Sequence, residues 1–253
     1  MSDILTHHDH GVTTLTLNRV DKKNSLTSAM YAALADALGG AQDDPAVRVV
    51  LIQGDTSVFS AGNDIADFLN TPPSRETLPV QRFLSTIARF PKPLVAAVSG
   101  PAVGVGTTML LHCDLVYAGD NALFSLPFVD LGLCPEAGSS LLLPQMLGYH
   151  RAAAALLLGE PLTAQAALEA GLVNRVVPAA EVNALALRQA QNLAAKPQAA
   201  LVETKRLMKS GQAAVLTQMQ EEQTVFSRLL GEPAAKEAFT AFLEKRRPDF
   251  STL

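Results

Sequence analysis

Glu136 stands in Leu-Gly-Leu-Cys-Pro-Glu-Ala-Gly-Ser-Ser, residues 131–140, the one carboxylate in a run of apolar and small residues. Two readings compete for it: a glutamate on a solvated turn, or a base whose pKa is raised in an apolar pocket. Two glycine-bearing turns supply the other chemistry, Phe-Ser-Ala-Gly-Asn-Asp-Ile (59–65) and Ser-Gly-Pro-Ala-Val-Gly-Val-Gly-Thr-Thr-Met (99–109). Taken alone, each could simply turn the chain. Together they suggest more. A helix opening near Gly106 leaves backbone N–H groups unpaired at its start, and a second N–H from the Gly62-Asn63 turn could converge with them. Two backbone donors on one oxygen stabilise charge that develops on a carbonyl. The nucleotide motifs are incomplete: Met109 stands where a dinucleotide fingerprint needs its third glycine, and no Walker lysine follows. No Gly-x-Ser-x-Gly elbow is present either, so proton abstraction with enolate stabilisation is the expected chemistry rather than attack by a protein nucleophile.

The elements that must position these residues read as an α/β layer structure. Val12–Leu17 alternates as a half-buried strand, and residues 47–54, 93–100, 113–119 and 122–126 read as further strands. Thr27 or Ser28 caps a helix whose apolar positions Met30, Leu34 and Leu38 fall four apart, ending at Gly39-Gly40. A helix is expected from about Val105 to His112. Strands stop near Ala180, and four helices broken at Pro197, Gly211 and Pro233 complete the chain. Their apolar faces should pack on a partner or fold back over a site. The organisation is a core over residues 1–195 and a helical region over 196–253. Residues 70–79, with paired prolines, read as a loop near the pocket.

Composition narrows the function further. The 253 residues are 48% hydrophobic and 17% charged, which is globular, and the net charge of −4 gives no general reason to bind nucleic acid or an anionic membrane. Two cysteines, Cys113 and Cys134, make no disulfide framework, and Cys113 reads as a buried reduced thiol. His7, His8 and His10 invite a metal reading, but no second cluster of ligands follows, and a polar N-terminal turn is expected with no metal. The opening residues lack the apolar core of a signal peptide and no apolar run is long enough to span a membrane, so a cytoplasmic protein is expected.

In order along the chain, Leu-Asn-Arg-Val-Asp-Lys-Lys-Asn-Ser-Leu-Thr (17–27), the two glycine turns, Leu-Pro-Phe (126–128), the Glu136 segment, Gly-Leu-Val-Asn-Arg-Val-Val (171–177) and the terminal Ala-Phe-Leu-Glu-Lys-Arg-Arg (241–247) resemble the enoyl-CoA hydratase/isomerase (crotonase) family. The resemblance runs from about residue 12 to the end. It implies a spiral of ββα units followed by a C-terminal helical trimerisation region, giving a homotrimer or a dimer of trimers. It implies an acyl-CoA thioester as ligand and no separate cofactor, CoA entering as part of the substrate. The oxyanion donors would be the N–H groups of Asn63 and Val105. Lys23, Ser25, Leu26, Ser60, Ala61, Asp64, Ile65, Gly106 and Phe128 would bind substrate, with Lys22 and Lys23 beside the CoA phosphates.

Family hydratases use two glutamates, and this chain has Thr108 and Phe128 at those positions. Glu136 resembles instead the lone carboxylate of peroxisomal-type Δ3,Δ2-enoyl-CoA isomerases, and a 1,3-proton shift in fatty-acid breakdown needs one base. Leu126, Phe128 and Leu133 are the apolar neighbours expected to raise its pKa. Rival readings are hydratase-like or ring-type acyl-CoA chemistry, an RNA-binding relative, which the acidic net charge disfavours, and a non-catalytic relative, which the retention of Glu136 disfavours.

Overall fold

The computed structural model describes residues 2–70 and 73–251, and for 68–70 and 73–78 the backbone alone. Among them a six-stranded sheet runs in the order β1 (Ile4–Asp9), β2 (Val12–Leu17), β3 (Val49–Gln53), β4 (Leu94–Val98), β6 (Leu115–Gly119), β9 (Arg175–Val177), antiparallel only between β1 and β2. A smaller sheet joins β5 (Pro101–Val103), β7 (Leu123–Ser125) and β8 (Leu162–Thr163). His7, His8 and Asp9 therefore belong to β1, and only His10-Gly11 turns. The expected polar turn is corrected: these residues form the outermost strand of the sheet, and every side chain after Ile4 is exposed there, so polar residues suffice.

The apolar runs of the central strands reflect cover on both faces. Val50 and Ile52 of β3, with Leu94, Ala96 and Val98 of β4, enter the main core cluster with Tyr31, Leu34 and Leu38. Val49, Leu51, Val95 and Ala97 enter a second cluster with Val182, Leu185, Ala186 and Ala190. The first set of helical residues lies on α1 (Ser28–Asp43), whose Thr27 cap accepts from the Met30 N–H. Such a cap is worth about 1 kcal/mol. The helix runs through Gly39-Gly40 to Asp43, since burial of Ala41 outweighs the weak propensity of two glycines.

Next come α2 (Ile65–Asn70) and α3 (Pro73–Arg89). Of the loop expected at 70–79, Thr71 and Pro72 lie outside the described residues. The rest is corrected: Asn70 closes α2 and Pro73 opens α3, the helical position at which a missing N–H costs nothing.

The expected helix after Gly104 is α4 (Val105–Thr108) continued by a 3₁₀ turn, Met109–His112. Then follow α5 (Ser139–Leu147), α6 (Tyr149–Leu157), α7 (Ala164–Glu169) and α8 (Val182–Ala194), which covers the second face of the large sheet. The chain finishes with α9 (Gln198–Met208), α10 (Gln212–Leu230) and α11 (Pro233–Leu243). Lys205 of α9 is buried, its ammonium held 2.6 Å from Asp114 and 2.7 Å from the Lys92 carbonyl. Ala235 and Phe239 of α11 fill a third cluster with Leu126, Phe128 and Leu133. The terminal helices thus fold back over their own chain.

Candidate active site

Successive strands alternate between the two sheets: β4 and β6 lie in the large sheet, β5 and β7, which follow them, in the small one. The same step occurs after β3, where Ser60 makes a parallel bridge to Ala102 of β5. The Phe59 and Ser60 N–H groups bond to the Pro101 carbonyl at 3.2 and 3.0 Å, and the Val103 N–H returns to Ser60 at 2.9 Å. Two neighbouring units therefore present equivalent strand-to-helix turns side by side, one carrying Asn63 ahead of α2 and the other Val105 at the start of α4. Gly62 makes this approach possible: its φ is +87°, and a Cβ there would lie 2.9 Å from the Val103 carbonyl oxygen. Among the described residues neither the Asn63 nor the Val105 N–H has an acceptor. The Val105 side chain sits in the main core, so β-branching leaves its amide at the rim of the site.

The Asn63 turn is fixed by its neighbours. The Leu26 N–H donates to the Gly62 carbonyl at 2.8 Å, the Asp64 N–H to the Leu26 carbonyl at 3.0 Å, and the Tyr31 hydroxyl to Asn63 Oδ1. Burial, with the Glu136 charge adding to it, pushes the Tyr31 phenol well above its ordinary range, so it remains a donor.

Two cavities meet at Asn63 and Phe226, which line both. The larger, about 650 Å³, takes in Lys22, Lys23, Ser25, Ala61, Asp64, Ile65, Val105 and Phe128. Leu26, Ser60 and Gly106 are not in its wall. They are buried behind it, where Ser60 Oγ donates to the Asn24 carbonyl and Gly106 leaves room for the Ser60 carbonyl. Asp64 faces inward but is occupied: burial works to raise its pKa, and the Arg19 guanidinium at 2.7 Å, with other donors, holds it below the usual range. Arg246 in the terminal tail pairs with Glu237 at 2.5 Å.

Glu136 opens on the smaller cavity, about 230 Å³, with Val80 and Leu84 of α3 and Leu216, Met219 and Leu230 of α10. Its apolar surroundings differ from expectation, because Phe128 and Leu133 line the larger cavity and Leu126 packs with them. Glu136 is 8% exposed, and its Oε1 has no hydrogen-bond partner among the described residues. Burial, then the Glu222 charge, push its pKa up to about 7. The solvated-turn reading does not survive this burial.

A carboxyl that holds its proton more tightly when folded destabilises the folded state as pH rises from 4.5 through about 7, and the cost is full above that. It is on the order of 3 kcal/mol. Glu136→Gln should therefore raise the melting temperature by several degrees at pH 8 and scarcely at pH 4. Equal shifts in thermal melts at the two pH values would show that the carboxylate is not strained by burial.

Thr108 and Phe128 are both buried, and neither presents a carboxylate to the larger cavity. Among the described residues no group of three or more His, Cys, Asp or Glu side chains could hold a metal. No helix among them is long and apolar enough to cross a membrane. Sequence reasoning missed Tyr31, Glu222 and Asn24, the last buried and donating to the Val58 and Phe59 carbonyls from the Lys22-Lys23 segment. It also missed the whole α10 wall.

A sequence model of the enoyl-CoA hydratase/isomerase family matches residues 7–252. The 1,2-epoxyphenylacetyl-CoA isomerase of Escherichia coli (strain K12) is 36% identical, covering 99% of each chain. The enoyl-CoA delta isomerase 2 of Rattus norvegicus is also 36% identical, over 90% of this chain and 60% of that one. Among solved structures, an enoyl-CoA hydratase/isomerase from Pseudoalteromonas atlantica T6c superposes with a TM-score of 0.93 at 41% identity, over 99% of this chain and 100% of the other.

Proposed function

The chain belongs to the enoyl-CoA hydratase/isomerase family, and on that premise we propose that it converts 3-enoyl-CoA to 2-enoyl-CoA by a single-base 1,3-proton transfer. The observation that carries the reading is Glu136: one buried carboxylate, pushed up to about 7, opening on a cavity that shares Asn63 with the larger one. The thioester lies across that junction, with CoA in the larger cavity and its phosphates toward Lys22 and Lys23. Glu136 takes a proton from C2. The electrons move through the C3–C4 double bond and the carbonyl to give a dienolate, whose oxygen accepts from the Asn63 and Val105 N–H groups. The same carboxyl then returns the proton to C4, leaving the double bond at C2–C3. No water is consumed, which suits a chain with Thr108 and Phe128 in place of two glutamates.

Supplying 3-enoyl-CoA and following 2-enoyl-CoA absorbance tests the activity, with crotonyl-CoA hydration as the control. Isomerisation with weak hydration is expected; rapid hydration would sink the reading. Because the base acts only when ionised, kcat/KM should rise with pH through about 7 and level off above it. A pH profile flat between 5 and 9 would contradict this.

A second reading is ring-type acyl-CoA isomerisation. It is favoured by the likeness over 99% of both chains to the Escherichia coli isomerase that bears an epoxyphenylacetyl-CoA name, and it would use the same base and donors. A homotrimer, alone or paired, is part of the same proposal, and exposed apolar side chains on the later helices, Leu207, Met208 and Phe242 among them, support it. Sedimentation at micromolar concentration should give three or six subunits, and a monomer alone would refute this.

A further inference from the structure

Nothing hydrogen-bonds to Glu136 Oε1 among the described residues, which leaves the direction of this carboxylate to packing and to the backbone that carries it. That backbone is unusual. Ala137, the next residue, has φ +62°, a left-handed conformation that an alanine adopts only where its surroundings enforce it. Gly138 follows at φ +73°, with α10 so close that a Cβ would lie 2.9 Å from Val215 Cγ1. The enforcing contacts come largely from one side chain. Glu222, in the middle of α10, is 5% exposed, and a charge so buried needs partners. Its carboxylate accepts the Gly138 N–H at 2.6 Å, the Ser140 N–H at 2.9 Å and the Ser140 hydroxyl, while its backbone carbonyl accepts from Cys134 Sγ at 3.6 Å. One helix position thus grips the chain on both sides of Glu136. Gln218, one turn earlier, adds a 3.0 Å bond to Ser140 Oγ, and His112 meets the Ala137 carbonyl at 2.8 Å.

We infer that Glu222 is a positioning residue for the proposed base: it clamps the 134–140 turn and thereby aims the Glu136 carboxylate at the cavity. This rests on the reading of Glu136 as the base and assigns a new residue to it. The clamp has an electrostatic side as well, since the Glu222 charge adds to burial in raising the proton affinity of Glu136. Among the described residues the other titratable groups around Glu136 are Tyr31 on α1, Cys134 in the same turn, Arg89 of α3, which lines the same cavity, and His112, whose pKa burial lowers to about 4.

The test compares Glu222→Gln, Glu222→Asp and Glu136→Gln by kcat, KM and the pH profile of kcat/KM on 3-enoyl-CoA. Glutamine keeps one accepting oxygen and removes the charge. It should lower kcat about tenfold with KM changed less than threefold, and move the rising limb of the profile to lower pH. Aspartate keeps the charge on a shorter reach, so kcat should fall similarly while the limb stays closer to pH 7. Glu222→Gln with wild-type kcat and an unmoved limb, beside an inactive Glu136→Gln, would overturn the clamp and leave the base intact. A kcat loss with no movement of the limb would reduce Glu222 to a purely structural residue and would also overturn it. Full activity in Glu136→Gln would instead remove the base itself. Should Glu222→Gln fail to fold, Ser140→Ala, which deletes only one of the clamp's donors, should still lower kcat at constant KM, and its indifference would count against the inference.

Discussion

Replacing Glu136 with glutamine should lower the rate of double-bond shift by about 10²- to 10⁴-fold, the range expected when a positioned acid/base group is lost. Glutamine matches glutamate in shape but cannot take the proton from C2, so acyl-CoA binding should be nearly unchanged. The effect should be large because, among the described residues, no second carboxylate lines the cavity. Among the residues lining it, Tyr31 is absent, Gln81, Gln220 and Gln223 are amides, and Arg89 is a cation. The variant should also be more stable than the parent at alkaline pH, which separates loss of chemistry from loss of fold. Equilibrium binding of a saturated acyl-CoA, measured beside turnover of 3-enoyl-CoA, checks both halves. A variant that binds and turns over like the parent would return Glu136 to an ordinary turn residue.

The second large effect is expected at Val105, where proline removes the N–H without removing a backbone bond, since that N–H donates to nothing among the described residues. Proline is well tolerated at the first position of a helix, and Val105 opens α4. Loss of one oxyanion donor should reduce kcat about 10²- to 10³-fold. CoA affinity should weaken much less, because the Lys22-Lys23 end of the larger cavity is untouched. Val105→Ala, which keeps the amide, should retain most of the activity and serves as the packing control. Equal turnover in the proline and alanine variants would show that this amide stabilises no charge.

Much of this arrangement is legible in the sequence for simple reasons. The runs at 49–52 and 94–98 are apolar throughout because both faces of those strands are covered, and the Thr27 cap with Met30, Leu34 and Leu38 marks one helix without ambiguity. Glu136 could be singled out because a charge among small residues stands out locally. Its true surroundings could not be read, since α3 and α10 lie some fifty to ninety residues away along the chain. Periodicity alone does mark the α10 face. Val215, Met219, Glu222 and Phe226 recur at spacings of four, three and four, which places Glu222 on the inward face of α10. Tyr31 offered no such contrast; on the apolar stripe of α1 it reads as core, and its hydroxyl reaches Asn63 only through the tertiary fold. His7 and His8 misled in the other direction, because polar residues on an outer strand resemble a turn when read singly.

One buried carboxylate carrying a proton from C2 to C4 while shielded from water is the centre of the proposed mechanism. The most direct test is to supply 3-enoyl-CoA deuterated at C2 in ordinary water and locate the label in the product during the first turnovers. A single base that is 8% exposed should deliver a substantial share of the deuterium to C4. Solvent hydrogen at C4 in every product molecule would contradict the shuttle, and would place the second proton transfer on another group or on water.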